Sequence, residues 1–334
     1  MKRSPLSMVK ETIALALIGL FLYLFIFIDF QELSIDIPGP LLNLNTIFLS
    51  IVLEAIPFIL LGVFVSALIQ VFISEETIKR LLPKNAIIAL FPAALLGAIF
   101  PICECAIVPV VRRLIKKGMP LHVGVVFLVG APILNPVVFA STYYAFQSAT
   151  EIVYARMGLA FILSIIIGFM MYILFKNRDQ LKWTRDELVG KGVLDNQQEI
   201  GKVKSTFYHA SDEFFEMGKY LIFGAFLASL FQTFLDRSLL AELGSSEFIA
   251  PGVMMAFAFV LSLCSEADAF VAASFGGTFT AGSLIAFLVY GPMLDLKNTI
   301  MLFAFFRAKF VAAFIVVVTI LVYISVLVYQ QVFV

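Results

Sequence analysis

The chain has 334 residues, 61% of them hydrophobic and only 14% charged, with a mean hydropathy of +1.02. No soluble fold hides that much apolar surface, so the solvent is lipid. Lys+Arg and Asp+Glu balance at 23 each, so net charge points neither to nucleic acid nor to acidic substrates, and the three cysteines, all in apolar segments, exclude a secreted disulfide framework.

In chain order, the basic stretch from Met1 to Lys10 precedes an apolar run from Thr12 to Phe30. That run is too long for a signal-peptide core and lacks a small-x-small cleavage site before Gln31, so it reads as an uncleaved first span. Backbone in lipid must satisfy its own hydrogen bonds, which assigns helices to further apolar runs at 46–73, 86–111, 121–146, 154–175, 216–235, 251–275, 281–306 and 310–330. The fold class expected is an all-α integral membrane protein. Two runs carry polar clusters at depths where lipid does not tolerate them: PICECAIVP at 101–109 and SLCSEADAF at 262–270. Such clusters survive where they line a protein-enclosed cavity. The polar stretch around Trp183 reads as a linker, and His122 and His209 as interfacial residues without chemistry.

Comparing the chain with itself reveals a duplication. LGVFVSALIQVFI from Leu61 aligns with FGAFLASLFQTFL from Phe223 at an offset of 162, matching Gly62 with Gly224, Gln70 with Gln232 and, upstream, Glu54 with Glu216. At an offset of 161 Cys103 falls on Cys264 and Ala106 on Ala267, and GAPILN from Gly130 resembles GPMLD from Gly291 with one residue deleted. Chance likeness between apolar segments competes with this reading, but the ordered match of Glu, Gln, Cys, Gly and Pro argues for repeats. The organisation expected is an extra helix and external loop (1–45), a first repeat (46–175), a cytoplasmic linker (176–212) and a second repeat (213–334).

Basic residues give orientation. If the runs at 86–111 and 251–275 crossed fully, Arg112, Arg113, Lys116 and Lys117 would lie outside when the N-terminus is inside, against the positive-inside rule. Re-entrant hairpins instead put every strongly basic loop in the cytoplasm, make the repeats antiparallel, and bring two hairpin tips toward the midplane from opposite faces, as in inverted-repeat transporters. Fully spanning hairpins in a parallel repeat are the alternative.

The candidate substrate-binding residues are Cys103, Glu104, Cys105, Pro109, Asn135, Cys264, Glu266, Asp268 and Asp295. Cys103, Cys105 and Cys264 offer up to three soft sulfur ligands for a thiophilic metal or metalloid, against the competing role of small packing residues. Carboxylates at membrane depth face a cavity, an ion or a proton path, unless the hairpin tip reaches the wet interface. Pro101, Pro109, Pro132, Pro136 and Pro292 each remove a backbone donor and disturb a helix. Asn135 and Asp295 stand beside a second pair of such breaks. No phosphate-binding G-x-x-x-x-G-K-[ST], H-E-x-x-H or Gly-rich dinucleotide loop occurs, so no enzymatic activity and no cofactor is expected.

PICECAIVPVVRRLIKKGMP at 101–120, followed by GAPILNP at 130–136, resembles the predicted permease family of the UPF0718 (DUF318) type, which includes the organoarsenical efflux permease ArsP and the YraQ-like permeases. The likeness covers about residues 46–330, and Cys103, Cys105 and Pro109 are its motif residues. It implies a multi-pass plasma-membrane permease and, from the arsenical-exporting branch, trivalent organoarsenicals as candidate substrates. Glu104 between the cysteines and Ala106 after them depart from the small or hydroxyl residues expected there, which favours a harder cation or a proton-coupled organic solute. The function expected is alternating-access transport of a small thiol-reactive solute or a metal or metalloid species, with the N-terminus cytoplasmic. The other readings are a scaffold or metal-handling subunit working with a membrane or cytoplasmic partner protein, and a channel.

Overall fold

The computed structural model describes residues 39–72, 83, 87–99, 103–176, 180–182, 202–234 and 248–333. The expected first span at 12–30, Pro101, most of the linker and the side chains of Gln70 and His209 lie outside the described residues. Residues 1–43 and 44–334 form separate units, and the second contains both polar clusters.

Twelve helices make up the described fold: α1 (Gly39–Phe72), α2 (Leu90–Ile99), α3 (Glu104–Lys116), α4 (Leu121–Leu134), α5 (Pro136–Ala145), α6 (Thr150–Phe175), α7 (Lys202–Phe234), α8 (Ile249–Leu261), α9 (Ser265–Ser274), α10 (Ala281–Met293), α11 (Leu296–Phe305) and α12 (Ala308–Phe333). They run as two series in one order: a long helix, a short pair, a second short pair, and a helix of 26 residues. Among the described residues, six segments are long and apolar enough to cross a bilayer: α1, α4 with α5, α6, α7, α10 with α11, and α12. Of these, the two interrupted spans are the interior, 72% and 89% buried against 28–33% for the four continuous ones. α4 packs on α2, α6 and α10, and α10 on α8, α12 and α4, so the interrupted spans meet each other and the continuous helices flank them.

This layout follows from side-chain size. The flanking helices turn Leu53, Phe64, Ile162, Phe223 and Ile324 outward, as lipid allows. On α12 the inward stripe Phe310, Phe314, Val318, Val322 and Val326 recurs every fourth residue, each fully buried, and Phe306, Phe310 and Phe314 stack at centroid distances of 5.1 and 6.2 Å. Because lipid is as apolar as leucine, close packing drives helix association in a membrane, and small residues at contacts permit it. Gly62 of α1 and Gly224 of α7 are such points: an added Cβ would stand 2.6 Å from Ala106 Cα on α3 and 3.0 Å from Lys297 Cα on α11.

The structure changes the reading of the basic run after the first polar cluster. Arg112, Arg113 and Lys116 are not loop residues but the last turns of α3, where cations suit the carbonyl end of a helix. Arg112 is 2% exposed, pairs with Glu216 at 3.1 Å and lies 4.3 Å over the Phe305 ring. Arg113 pairs with Glu213 at 3.0 Å, and Glu213 accepts a further bond from Ser66 Oγ at 2.8 Å. Glu216 is thus paired with Arg112, whereas Glu54, matched with it in sequence, stands beside Cys103 and Cys264. Residues 202–212, read as the end of the linker, are the first turns of α7. Leu181 forms an isolated antiparallel bridge with Phe306, with Lys182 N–H donating to Phe305 O and Arg307 N–H to Gln180 O, which ties the start of the linker to the turn between α11 and α12.

Candidate functional site

Four helices begin in the interior, and each begins at a residue singled out in the sequence. Cys103 and Cys264 are the residues before α3 and α9, both extended (φ −74°, ψ 166° and φ −75°, ψ 152°), and neither side chain caps its helix. Asn135 and Asp295 are the residues before α5 and α11, and both cap: Asn135 Oδ1 accepts from Val137 and Val138 N–H at 3.0 and 2.9 Å, Asp295 Oδ1 from Asn298 N–H at 2.6 Å. Capping satisfies amides that have no partner within the helix, a necessity where water is scarce. The positive ends of these helix dipoles suit the acidic residues in their first turns, Glu104 on α3 and Glu266 and Asp268 on α9.

The two polar clusters meet. Ser265 Oγ donates to Glu104 Oε2 at 3.0 Å across 161 residues of sequence, the same offset that aligns Cys103 with Cys264. Glu104, 1% exposed, also pairs through Oε1 with Lys297 Nζ at 3.4 Å. Lys297 in turn donates to Ser262 O at 2.6 Å and faces Asp295 Oδ2 at 3.5 Å. Ser262 makes this possible by ending α8 in a left-handed conformation (φ 49°, ψ 41°), which turns the chain and leaves its carbonyl outside the helical ladder. Its hydroxyl donates to Phe259 O at 3.0 Å and accepts from Leu296 N–H at 3.1 Å, anchoring the break to α11.

A second cluster adjoins the first. Arg156 of α6 is fully buried, with Nη1 donating to Thr142 Oγ1 at 2.6 Å and Nη2 to Ser265 O at 3.0 Å. Its charge interacts with Asp268, Glu266 and Glu104. Asp268 is 2% exposed and its Oδ2 has no hydrogen-bond partner among the described residues; a Cβ on Gly291 would stand 2.9 Å from that oxygen. Two buried cations therefore balance part of the charge of four acids.

The structure brings Cys103, Glu104, Cys105 and Cys264 to the wall of one small cavity, about 10 Å³, with Glu54 and Lys297 beside them. That volume is roughly one water. Asp295 joins through Lys297, Glu266 lies half-buried on α9, and Asp268 sits deeper along the same helix. Asn135 caps α5 and Pro109 lies inside α3, so both shape the frame without lining the cavity. Among the described residues, no group of three or more His, Cys, Asp and Glu is arranged to hold a metal ion. A roomier cavity, about 190 Å³, lies between the start of α4 and the end of α6, lined by His122, Tyr172 and Lys176 among others and by no residue of either cluster. Lys297, Arg156 and Thr142 were not singled out in the sequence, and Ser262 only as the first residue of the polar cluster at 262–270; the signal available for the first two was a basic residue inside an apolar run.

The chain matches the predicted permease family ArsP_1 over residues 40–331. It is 50% identical over 281 residues to the UPF0718 protein YcgR of Bacillus subtilis, covering 84% of this chain and 95% of that protein. A Streptococcus mutans protein, whose name describes a "two-component membrane permease complex subunit", is 37% identical over 287 residues, covering 84% of this chain and 92% of its own. The UPF0718 protein MJ0584 of Methanocaldococcus jannaschii is 30% identical over 132 residues, 36% of each chain. No solved structure matches. With its interrupted apolar spans and its interior cluster of charge and thiols, the chain belongs to the ArsP_1 predicted permease family and is a multi-pass membrane permease.

Proposed function

We propose that this permease moves a small solute, thiol-reactive or a metal or metalloid species, across the plasma membrane by alternating access to the site between the two breaks. The carrying observation is the Ser265–Glu104 hydrogen bond, which joins the N-termini of α3 and α9 at aligned positions of the two helix series. Inverted repeats meeting at interrupted helices give a fixed central site around which the halves rock, and the matching order of the series supports that arrangement here. The N-terminus is cytoplasmic in this reading. Cys103, Cys105 and Cys264 would meet a thiophilic solute, and Glu104, Glu266, Asp268 and Asp295 a cation or proton.

The test is gradient-driven uptake by the purified chain in liposomes, with trivalent arsenicals, soft metal ions and alkali cations as solutes. Glu104→Gln removes a charge from the meeting point and is expected to reduce flux about 10-fold or more, a barrier change of ~1.4 kcal/mol. Wild-type flux that Glu104→Gln leaves intact would sink the assignment of the site. The name of the Streptococcus mutans relative favours a second reading, in which the chain works as one subunit with a partner protein. Flux that appears only when a co-purifying membrane protein is added would establish it.

A further inference from the structure

Lys297 Nζ sits among three oxygens from three parts of the chain: Ser262 O at 2.6 Å, Glu104 Oε1 at 3.4 Å and Asp295 Oδ2 at 3.5 Å. Each oxygen is fixed independently. Glu104 is held by Ser265 Oγ, Ser262 by its left-handed turn and its bond from Leu296 N–H, and Asp295 by its cap to Asn298 N–H. The lysine arrives from α11 on a flexible stem, and its backbone is pressed against Gly224 of α7. Asp295 is fully buried, yet among the described residues its Oδ2 makes no hydrogen bond and meets Lys297 only as an ion pair. The oxygens form a rigid seat of two carboxylates and a carbonyl; the ammonium is the movable part.

That chemistry is the coordination expected for a small hard cation, since carboxylate and carbonyl oxygens suit alkali and similar ions whereas the thiols suit soft ones. Glu104 and Lys297 line the same small cavity as the cysteines, so an ion arriving there meets the carboxylate already paired with the ammonium. We propose that Lys297 is a tethered cation occupying a binding seat for a small inorganic cation, which enters by displacing the lysine amine. Occupation by one excludes the other, which prevents the site from binding two positive charges at once and links solute entry to a swing of Lys297 away from Glu104. This inference rests on the reading of the site as the permeation site and names the class of ion that it takes.

The experiment uses the full chain purified in detergent, in NaCl, KCl or N-methylglucamine chloride at equal ionic strength and fixed pH. Lys297→Ala and the hydrogen-bonding Lys297→Gln empty the seat, and each is expected to melt about 2–4 °C higher in a saturating alkali salt than in N-methylglucamine chloride. Lys297→Ala combined with Glu104→Gln should lose that dependence. In the wild-type chain, acylation of Lys297 by a small amine reagent, read by mass spectrometry, should rise at least about 2-fold in the alkali salts as the ion displaces the amine, a shift worth ~0.4 kcal/mol. Equal melting temperatures in all salts for the folded variants overturn the proposal, as does equal labelling of the wild type should neither variant fold. Solute flux without any cation effect would remove the seat and leave the permeation reading standing. A cation effect without flux would do the reverse.

Discussion

Arg156 is the side chain whose loss the fold should feel most. It is fully buried in an apolar helix and its two Nη groups bridge α5 and α9, to Thr142 Oγ1 and Ser265 O, while its charge offsets Asp268, Glu266 and Glu104. Removing one partner of a buried charge cluster leaves the other uncompensated, a loss of about 3–5 kcal/mol. Arg156→Met should therefore lower the thermal midpoint in detergent sharply. Arg156→Lys should recover only part, because one ammonium cannot reproduce the planar fork that reaches two acceptors. Ser262 offers a finer test. Its left-handed backbone disfavours any Cβ by roughly 1–2 kcal/mol, while its hydroxyl satisfies Leu296 N–H, and a buried unmade bond costs about 1–3 kcal/mol. Ser262→Gly relieves the strain and loses the bond; Ser262→Ala keeps the strain and loses the bond. Thermal unfolding should rank wild type above Gly above Ala. These residues also show why the site was only half legible. Cys103, Glu104 and Cys264 announced themselves as polar residues in apolar runs. Arg156 and Lys297 are the same kind of anomaly: Arg156 lies near the start of the run at 154–175, where a basic residue is ordinarily read as anchoring at the interface, and Lys297 lies inside the run at 281–306, two residues after Asp295. Only the packing of α6 and α11 carries them into the interior.

At the scale of elements, the sequence showed where helices stop more clearly than where they lie. Asn135 and Asp295 were expected beside breaks because Pro132 and Pro136 flank the first and Pro292 precedes the second, and both turn out to cap the helix that restarts there. Arg112 and Arg113 read as loop because charge after an apolar run ordinarily means water. The acids that pair with them, Glu216 and Glu213, come from about 100 residues further along, beyond any local pattern. The match of Gly62 with Gly224 was visible in the alignment, but its use is visible only in the packing. Each lets a flanking helix touch the backbone of a helix that carries the site: Gly62 against Ala106, two residues after Glu104, and Gly224 against Lys297. A methyl group at Gly62 would lie 2.6 Å from backbone, closer than any relaxation of side chains can relieve, whereas at Gly224 the closest approach is 3.0 Å. Overpacking of this kind costs typically about 1–3 kcal/mol and sometimes more. Gly62→Ala should destabilise more than Gly224→Ala in thermal melts, and Gly224→Ala should cut flux by more than its melting shift implies, because it pushes on the helix that holds Lys297. Equal flux per folded molecule for Gly224→Ala and wild type would show that this contact serves packing alone.

For the whole molecule, the interior is built from segments that stop and restart, and the continuous helices flank it. That arrangement sets different access for the three cysteines, although they share one cavity wall. Cys103 and Cys105 are 5% and 4% exposed, and Cys264 is only partly buried, so one sulfur should react before the other two. In oriented vesicles a small membrane-impermeant thiol reagent is expected to modify Cys264 at least about 10-fold faster than Cys103, a difference of ~1.4 kcal/mol in the cost of opening. If alternating access is the mechanism, the reagent should reach Cys264 from one face of the membrane in this state. Conditions that drive the opposite state should slow Cys264 and expose Cys103 and Cys105 to the other face. A short bifunctional thiol reagent should link Cys103 to Cys264 in a Cys105→Ser background, and linked protein should lose flux because the breaks can no longer separate. A channel behaves differently: both sulfurs would react from either face in the open state, with no exchange of protection between them. Access of all three cysteines from one face under every gradient would therefore exclude rocking halves and favour a pore or a subunit whose moving part is supplied by its partner.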